Sequence, residues 1–225
     1  DVKEIHPLVV RYSEGEMAVA HNGNLVNAEQ IRDQLVEDGS IFQSTTDSEV
    51  IVHLISRSRE NTFVDRIIDS LNKIKGAYSL LFLKDKKLIA VRDPYGFRPL
   101  SLGVIGESSY VVVSETCVLD LIEARFIREI EPGEMLIISE NGLISQKPFL
   151  PRPNRFCVFE YIYFARPDSI LNGKNVHNVR KEFGRQLARE TKIEADLVIA
   201  VPASGTSAAL GYAEESKLPF DLGLI

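Results

Sequence analysis

The stretch AVAHNGNLVNAEQ, Ala18 to Gln30, runs from a pattern typical of a β-strand directly into one typical of a helix. His21, Asn22 and Gly23 lie at the join. An Asn-Gly pair favours a tight turn, because both residues adopt positive φ at low cost. The tripeptide also suits an oxyanion hole, since an asparagine amide and a glycine N–H are donors that converge on a developing negative charge. The residues alone leave both interpretations open.

The segments on either side of this stretch predict a hairpin followed by helices. PLVVRY and EMAVAH are strand-like runs and predict a hairpin closed around Glu14-Gly15. Asn27 with Gln30, and Thr46 with Glu49, have the spacing of capping boxes, which predicts that two helices begin there.

A third helix and a long series of strands follow. FVDRIIDSLNKIK predicts a helix that ends at Gly76. Strand-like runs then continue to residue 147, interrupted by one helix near Thr116–Ala124. This order favours two antiparallel sheets with helices outside over a doubly wound parallel sheet. The sequence therefore predicts an α+β fold, arranged as a four-layer αββα sandwich.

The segment KPFLPRPNR marks a predicted domain boundary, because its prolines interrupt the periodic pattern. We expect one domain over residues 1–150 and a second over 151–225. The second contains a helix, NVRKEFGRQLARE, followed by a strand, a loop, a helix and a strand in DLVIAVPASGTSAALGYAEESKLPFDLGLI. That order predicts a βαβ unit, the opening of a parallel sheet.

Composition excludes several function classes. The 225 residues are 44% hydrophobic and 26% charged, as in globular proteins, with a net charge of −6. A broad nucleic-acid surface needs a clustered positive excess, so we expect no nucleic-acid partner. No apolar run approaches the roughly 18 residues that span a bilayer, and no targeting segment is recognisable. The sequence predicts a soluble, cytoplasmic protein that acts on small molecules.

The cysteines and most histidines have structural interpretations. Cys117 and Cys157 lack CxxC spacing, so they form neither a disulfide framework nor a complete metal site. Cys117 lies on an apolar helix face and is expected in the core. His6, His53 and His177 are expected to be surface or helix residues.

Three further stretches each have a structural and a functional interpretation. Asp47, in STTDSEV, is placed either to cap a helix or to bind an ammonium group there. Arg92 and Arg98, in RDPYGFRPL, suit a stiff turn in which arginines bind backbone carbonyls, although the turn is more elaborate than a connection requires. In VPASGTSAAL, small residues before a helix suit either phosphate binding or a plain βα connection.

Taken in order, AVAHNGNL, TTDSEV, RDPYGFRPL, CVFEYIYFARPDS and VPASGTSAALGYAEES resemble the glutamine phosphoribosylpyrophosphate amidotransferases, or amidophosphoribosyltransferases. The resemblance covers essentially the whole chain. HNG and RDPxGxRPL are shared more widely among glutamine amidotransferases with an N-terminal cysteine nucleophile, whereas FEYIYFARPDS is specific to this family. The resemblance implies an N-terminal-nucleophile (Ntn) hydrolase sandwich followed by the start of an α/β type I phosphoribosyltransferase domain.

The activity implied by the resemblance has two steps and begins de novo purine synthesis. Glutamine is hydrolysed through a thioester, and the ammonia displaces pyrophosphate from phosphoribosylpyrophosphate to give phosphoribosylamine. The resemblance also implies purine nucleotides as feedback inhibitors, and we expect a homo-oligomer. Two alternatives stay open: a non-catalytic glutamine- or nucleotide-binding protein on the same fold, and another amidotransferase that shares only the HNG and RDP stretches.

The resemblance assigns roles residue by residue. In the glutamine site, it implies that Asn22 and Gly23 form the oxyanion hole, that Asp47 binds the amino group, and that Arg92 and Arg98 support the pocket. In the pyrophosphate loop, it implies roles for Gly205 and Thr206, and for Ser204 as a residue that helps to hold Mg²⁺. It also implies that Cys157 is a ligand of a [4Fe–4S] cluster. The family's pyrophosphate loop reads Val-Pro-Asp-Ser, so Ala203 stands where an aspartate is expected. A hard cation prefers carboxylate oxygens, which weakens the expected Mg²⁺ site.

Several family residues have no counterpart in this sequence. The catalytic cysteine begins the mature enzyme, and its α-amino group is the general base, whereas residue 1 here is Asp and no cysteine precedes Cys117. Only Cys157 matches the cluster ligands, so a buried free cysteine is an equally good interpretation. We therefore expect an internal segment of an amidotransferase, inactive on its own.

Overall fold

The computed structural model describes residues 5–225. The strands are β1 Leu8–Tyr12, β2 Gly15–Leu25, β3 Gly76–Lys84, β4 Lys87–Arg92, β5 Ser101–Ile105, β6 Ser109–Val113, β7 Arg125–Glu129, β8 Met135–Ser139, β9 Gly142–Gln146, β10 Ile170–Leu171, β11 Lys174–Asn175, β12 Val198–Ile199 and β13 Phe220–Asp221. The helices are α1 Ala28–Glu37, α2 Ser48–Arg57, α3 Phe63–Leu71, α4 Cys117–Leu121, α5 Val176–Glu190 and α6 Thr206–Ser216, with a π-helical turn at Glu160–Phe164.

The chain divides into two compact units. The first contains the residues up to Ser114 together with Arg128–Phe156, and the second contains Glu115–Ile127 together with Cys157–Ile225. Among residues 5–225, no helix combines the length and the hydrophobicity needed to cross a membrane.

A six-stranded antiparallel sheet organises the first unit, with the strand order β1-β2-β3-β4-β8-β9. The predicted hairpin forms, but Tyr12 pairs with Gly15, so its two-residue loop is Ser13-Glu14, one residue earlier than the predicted Glu14-Gly15. A second sheet has the order β6-β5-β7. The prediction of an α+β fold with hairpin-connected strands is confirmed.

The two faces of the large sheet bury different neighbours. Successive side chains of a strand point to opposite faces, and on β4 Ile89 and Val91 belong to the core under helices α1–α3. Ala90, between them, belongs to a separate core with Leu100 and Leu102 of the next segment. The first unit therefore stacks a helical layer, the large sheet and a second layer of strands.

Neither predicted capping box forms. Asn27 precedes α1, but its side chain donates to the Lys73 carbonyl at 3.0 Å and accepts from the Lys75 N–H at 2.7 Å, so it joins α1 to the segment before β3. Helix α2 begins one residue later than the Thr46 box predicts. The Glu49 carboxylate accepts instead from the Gln43 and Ser44 N–H groups and the Ser44 hydroxyl, in the loop before the helix.

The prediction that the third helix ends at Gly76 is also wrong. Helix α3 ends at Leu71, and Gly76 begins β3 with a φ of +144°. A Cβ at this position would lie 2.3 Å from the Asn24 carbonyl oxygen. The glycine is therefore needed for the close approach of β2 and β3.

The second unit contains the predicted βαβ unit. Strands β12 and β13 pair in parallel, Val198 with Phe220, on either side of α6. The strands are only two residues long, shorter than their apolar runs predict. The β10-β11 hairpin and the π-helical turn lie where the sequence pattern predicts no regular element.

Candidate functional site

The HNG tripeptide lies within a strand. Strand β2 continues to Leu25, and Asn22 and Gly23 pair with Ser79 and Tyr78 of β3. The tight-turn interpretation is therefore wrong, and the glycine has another structural cause.

Gly23 is required by close packing. A Cβ at this position would lie 2.0 Å from the Ala77 carbonyl oxygen and 2.6 Å from Nε2 of His21. Any side chain here would displace the neighbouring strand or the histidine ring. The β2 backbone therefore has no side chain covering it at the residue that follows Asn22.

Arg98 fixes the orientation of Asn22. Its Nη2 donates to Oδ1 of Asn22 at 2.8 Å, although the two residues are 76 positions apart in sequence. A guanidinium only donates hydrogen bonds, so the atom that faces it is the amide oxygen. The opposite end of the amide, Nδ2, is therefore left as a donor beside Gly23.

The RDPYGFRPL turn is built around a buried arginine. Arg92 is 2% exposed, and its guanidinium donates to the carbonyls of Arg98 at 2.8 Å and Ile130 at 2.6 Å. Burial lowers the pKa of Arg92, an effect that the carboxylates of Glu129 and Asp93 oppose. Arg92 therefore binds the backbone of the turn that carries Arg98, and stabilises the position of Arg98 without lining the site itself.

Asp93 completes the turn. The buried carboxylate accepts from the N–H groups of Tyr95 at 2.9 Å and Phe97 at 3.0 Å. Burial raises the pKa of Asp93 in spite of these bonds. Gly96 has a φ of +63°, a conformation that favours glycine. The turn is thus rigid, which suits a segment that positions another side chain.

Asp47 reaches across from the start of α2 to the end of β2. Its Oδ2 accepts from the Leu25 N–H at 2.8 Å, and its Oδ1 accepts from the Ser48 hydroxyl at 3.2 Å. The side chain does not cap α2. Burial alone would raise the pKa of Asp47, but hydrogen bonds from His21, Leu25 and Ser48 outweigh it and hold the pKa below its ordinary value. Asp47 is therefore an anion at neutral pH.

His21 lies beneath this carboxylate. Its Nδ1 is 2.9 Å from the Ser48 hydroxyl and 3.5 Å from Oδ1 of Asp47, and its side chain is 2% exposed. Within the described part of the chain, Nε2 has no hydrogen-bond partner. The sequence pattern predicts no role for His21, because its contacts are with residues on another element.

The first unit thus brings together most of the predicted glutaminase residues. Asn22 and Gly23 lie on β2, Arg98 orients Asn22, and Asp47 is bound to Leu25 of the same strand. The arrangement presents an amide donor and an anion along one strand. These groups suit a substrate that carries both a carbonyl and an ammonium group.

The predicted pyrophosphate loop belongs to the second unit. The Gly205 N–H donates to the Val201 carbonyl at 3.1 Å, and the Thr206 N–H donates to the Ala203 carbonyl at 3.3 Å. These two N–H groups therefore stabilise the loop itself. The Ser204 side chain is half-buried and makes no hydrogen bond to another described residue.

The second unit also contains both cysteines. Cys117 is buried, as predicted, and Cys157 is free and half-buried. Within residues 5–225, no three His, Cys, Asp or Glu side chains are grouped closely enough to hold a metal ion. These residues alone therefore do not fit an iron–sulfur cluster or a carboxylate-bound Mg²⁺. His53 and His177 lie on helices α2 and α5, and His6 is exposed, as expected.

The sequence is similar to known proteins over its whole length. The sequence profile of the glutamine amidotransferase domain matches residues 2–120, more than half of the chain. The chain belongs to the glutamine amidotransferase domain family. The α+β fold and the HNG strand described above are therefore those of a glutamine amidotransferase domain.

Similar full-length proteins are named amidophosphoribosyltransferase. The Bacillus subtilis protein is 49% identical over 224 residues, which are 99% of this chain and 47% of the relative. The Rhizobium etli protein is 48% identical, and a chloroplastic protein of Arabidopsis thaliana is 50% identical, with 46% and 40% of their lengths covered. The glutamine amidotransferase chain therefore spans less than half of these relatives.

Two solved structures share the fold of the whole chain. Glutamine phosphoribosylpyrophosphate amidotransferase from B. subtilis, complexed with ADP and GMP, is 49% identical with a TM-score of 0.95, and all of this chain covers 50% of it. A structure described as the allosteric regulatory enzyme of purine biosynthesis is 50% identical with a TM-score of 0.94, and 99% of this chain covers 48% of it.

Proposed function

We propose that the intact protein is an amidophosphoribosyltransferase. It hydrolyses glutamine and transfers the ammonia to phosphoribosylpyrophosphate, which gives phosphoribosylamine, glutamate and pyrophosphate, the first committed step of purine nucleotide synthesis. The identity of 48–50% to relatives with this name supports the proposal. The geometric observation that carries it is the Arg98–Asn22 hydrogen bond, which orients an amide donor beside a glycine.

The glutaminase step uses the groups on strand β2. A thiolate attacks the side-chain carbonyl of glutamine, and negative charge develops on the carbonyl oxygen. The Nδ2 group of Asn22 and the N–H of Gly23 stabilise that charge, and Arg98 prevents the amide from rotating. Asp47 binds the substrate's ammonium group, since its lowered pKa keeps it ionised. The tetrahedral intermediate collapses to a thioester as the C–N bond breaks and ammonia leaves, and water then cleaves the thioester to release glutamate.

The nucleophile is assigned to a cysteine outside this sequence, as the resemblance implies. Cys117 is 2% exposed, so its thiol is inaccessible to a substrate. The resemblance assigns Cys157 to the cluster and not to the glutaminase step. The 225-residue segment is therefore expected to be inactive by itself.

The second unit is proposed to begin a type I phosphoribosyltransferase domain, preceded by the four-layer Ntn sandwich. The parallel β12–α6–β13 unit supports this, with Ser204, Gly205 and Thr206 in the loop that meets pyrophosphate. Mg²⁺ and a [4Fe–4S] cluster remain part of the proposal, but the other ligands must come from outside residues 5–225, because Ser204 and Cys157 are not grouped with further ligands there.

Regulation, assembly and location are carried over as proposals from the relatives. Purine nucleotides are proposed as inhibitors, because a similar structure is a complex with ADP and GMP. A homo-oligomer is proposed as well. A cytoplasmic location is proposed too, although the relatives include chloroplastic as well as bacterial proteins.

The decisive test measures both half-reactions of the intact protein and its Asn22→Ala variant. Glutamate release should fall about a hundredfold to a thousandfold, because one oxyanion donor is lost. Phosphoribosylamine formation from added ammonium chloride should persist, because it bypasses that site. Asn61→Ala, which alters an exposed asparagine, is the matched control and should leave both activities unchanged.

Other outcomes contradict the proposal in distinct ways. Glutamine or nucleotide binding without glutamate release by the intact wild-type protein would favour a non-catalytic binding protein. Equal loss of both activities in Asn22→Ala would show that Asn22 supports the fold and not the oxyanion.

A further inference from the structure

The first unit contains a concave surface, here called the cationic groove, with a volume of about 790 Å³. Tyr78 and Phe149 are buried residues that line it. Tyr95 and Phe97 also line it, with ring centroids 5.4 Å apart. Small-molecule sites are typically about 300–1,000 Å³ and largely apolar, with a few polar groups. The groove has this size and this character.

The charges in the cationic groove are all positive. Lys75, Arg152 and Arg155 line it, and no carboxylate of residues 5–225 does so. All three are exposed, and none of their side chains forms an ion pair or a hydrogen bond with another described residue. Because the chain has a net charge of −6, this groove is a local exception to the overall charge.

The hydroxyl of a buried tyrosine in the same groove also has no hydrogen-bond partner among the described residues. Tyr78 is 2% exposed, and its hydroxyl makes no hydrogen bond within the described residues. Burial, reinforced by the charge of Asp93, raises the pKa of Tyr78 well above its ordinary value. The hydroxyl is therefore a permanent donor, and a ligand acceptor would satisfy it.

We propose that the cationic groove binds a small organic anion with a flat apolar body. The guanidinium groups of Arg152 and Arg155 hold the anionic group, and the apolar body packs against Tyr95 and Phe97. None of Asn22, Gly23, Asp47 and Arg98 lines the groove, although Asn24 and Phe97, which lie next to two of them in sequence, do. The inference therefore does not depend on the proposed activity.

The test uses the intact protein and anilinonaphthalenesulfonate, a fluorescent aromatic anion. Replacing both arginines, Arg152→Gln with Arg155→Gln, should weaken binding about tenfold or more, because charge-assisted hydrogen bonds are lost. Arg59→Gln with Arg125→Gln removes two exposed arginines outside the groove and should leave binding unchanged. Phenylnaphthylamine, which lacks the sulfonate, should bind both double variants equally.

A conservative variant tests the Tyr78 hydroxyl. Tyr78→Phe keeps the ring and removes one hydrogen-bond donor. It should therefore lower the affinity for the anionic probe severalfold and leave the affinity for the neutral analogue unchanged. Displacement of the probe by naphthoate or by naphthyl phosphate then distinguishes a carboxylate ligand from a phosphate ligand. Equal losses in both arginine double variants, or no binding of the anion to the intact protein, would overturn the proposal.

Discussion

At the residue scale, residue type and resemblance name candidate site residues whose roles stay predictions, whereas the contacts that fix other residues were missed. Asn22, Gly23 and Asp47 were predicted from residue type and resemblance. His21 contacts a serine 27 positions away, and Glu49 binds the loop five to six positions before it instead of the start of its helix. A one-dimensional pattern does not encode such pairings.

Glu49 gives a prediction about local stability. Its carboxylate accepts from the Gln43 N–H and the Ser44 N–H, both at 2.8 Å, and from the Ser44 hydroxyl at 2.6 Å. Glu49→Gln replaces one carboxylate oxygen by an NH₂ group. That group donates hydrogen bonds, so it cannot accept from the Gln43 and Ser44 N–H groups. Amide hydrogen exchange at Gln43 and Ser44 should therefore become about tenfold faster at neutral pH. Glu37→Gln, an exposed position on α1, should leave exchange unchanged.

The pH dependence of this effect has a definite sign. Burial alone would raise the pKa of Glu49, but hydrogen bonds from Ser44 and Gln43 outweigh it and hold the pKa below its ordinary value of 4.5. A depressed folded-state pKa stabilises the fold above the ordinary value, and this stabilisation is lost as the pH falls through the folded-state pKa. The difference between wild type and Glu49→Gln should shrink below about pH 4.5. A constant difference would exclude the ionised carboxylate as its cause.

At the scale of elements, strands and helices were predicted well and their ends poorly. The end of a helix depends on which neighbour satisfies its free backbone groups, and Asn27 and Glu49 both bind other segments. Close packing between helices also depends on a neighbour that the sequence pattern does not identify. On α5, a Cβ at Gly184 would lie 1.8 Å from the Ala208 carbonyl oxygen, and on α6, one at Gly211 would lie 1.9 Å from that of Lys181. Both glycines are therefore needed where the two helices cross.

Gly184→Ala decides between two opposing effects. Helix propensity alone predicts a gain of about 1 kcal/mol, since alanine favours helices over glycine. The clash with the Ala208 carbonyl predicts a loss of about 1–3 kcal/mol, because backbone atoms cannot move aside as a flexible side chain does. We expect the loss to prevail, seen as a lower unfolding temperature and faster amide exchange in both helices. Gln186→Ala, on the exposed face of α5, should change stability by less than about 0.5 kcal/mol.

At the scale of the whole molecule, the α+β class followed from element order, whereas the division into units did not. Glu115–Ile127 belongs with Cys157–Ile225, although another segment of the first unit separates them in sequence. Glu115 shows why: its carboxylate accepts from the Arg166 N–H at 2.7 Å and the Ser169 hydroxyl at 2.8 Å, more than fifty positions away. The boundary near residue 150 stays a prediction, because proline content reports only the local chain.

If the two units serve different half-reactions, a variant in the second unit should show the reverse pattern of Asn22→Ala. It should impair the phosphoribosylpyrophosphate-dependent step and spare glutamate release. The Ser204 hydroxyl makes no hydrogen bond with another described residue, so Ser204→Ala removes a ligand contact at little cost to the fold. In the intact protein we expect the apparent affinity for phosphoribosylpyrophosphate, measured with ammonium chloride as nitrogen donor, to weaken about tenfold. Glutamate release without phosphoribosylpyrophosphate should be unchanged, as should both activities in Ser108→Ala, an exposed position in the first unit. Equal losses of both activities in Ser204→Ala would instead assign Ser204 a structural role and contradict the separation of the two sites.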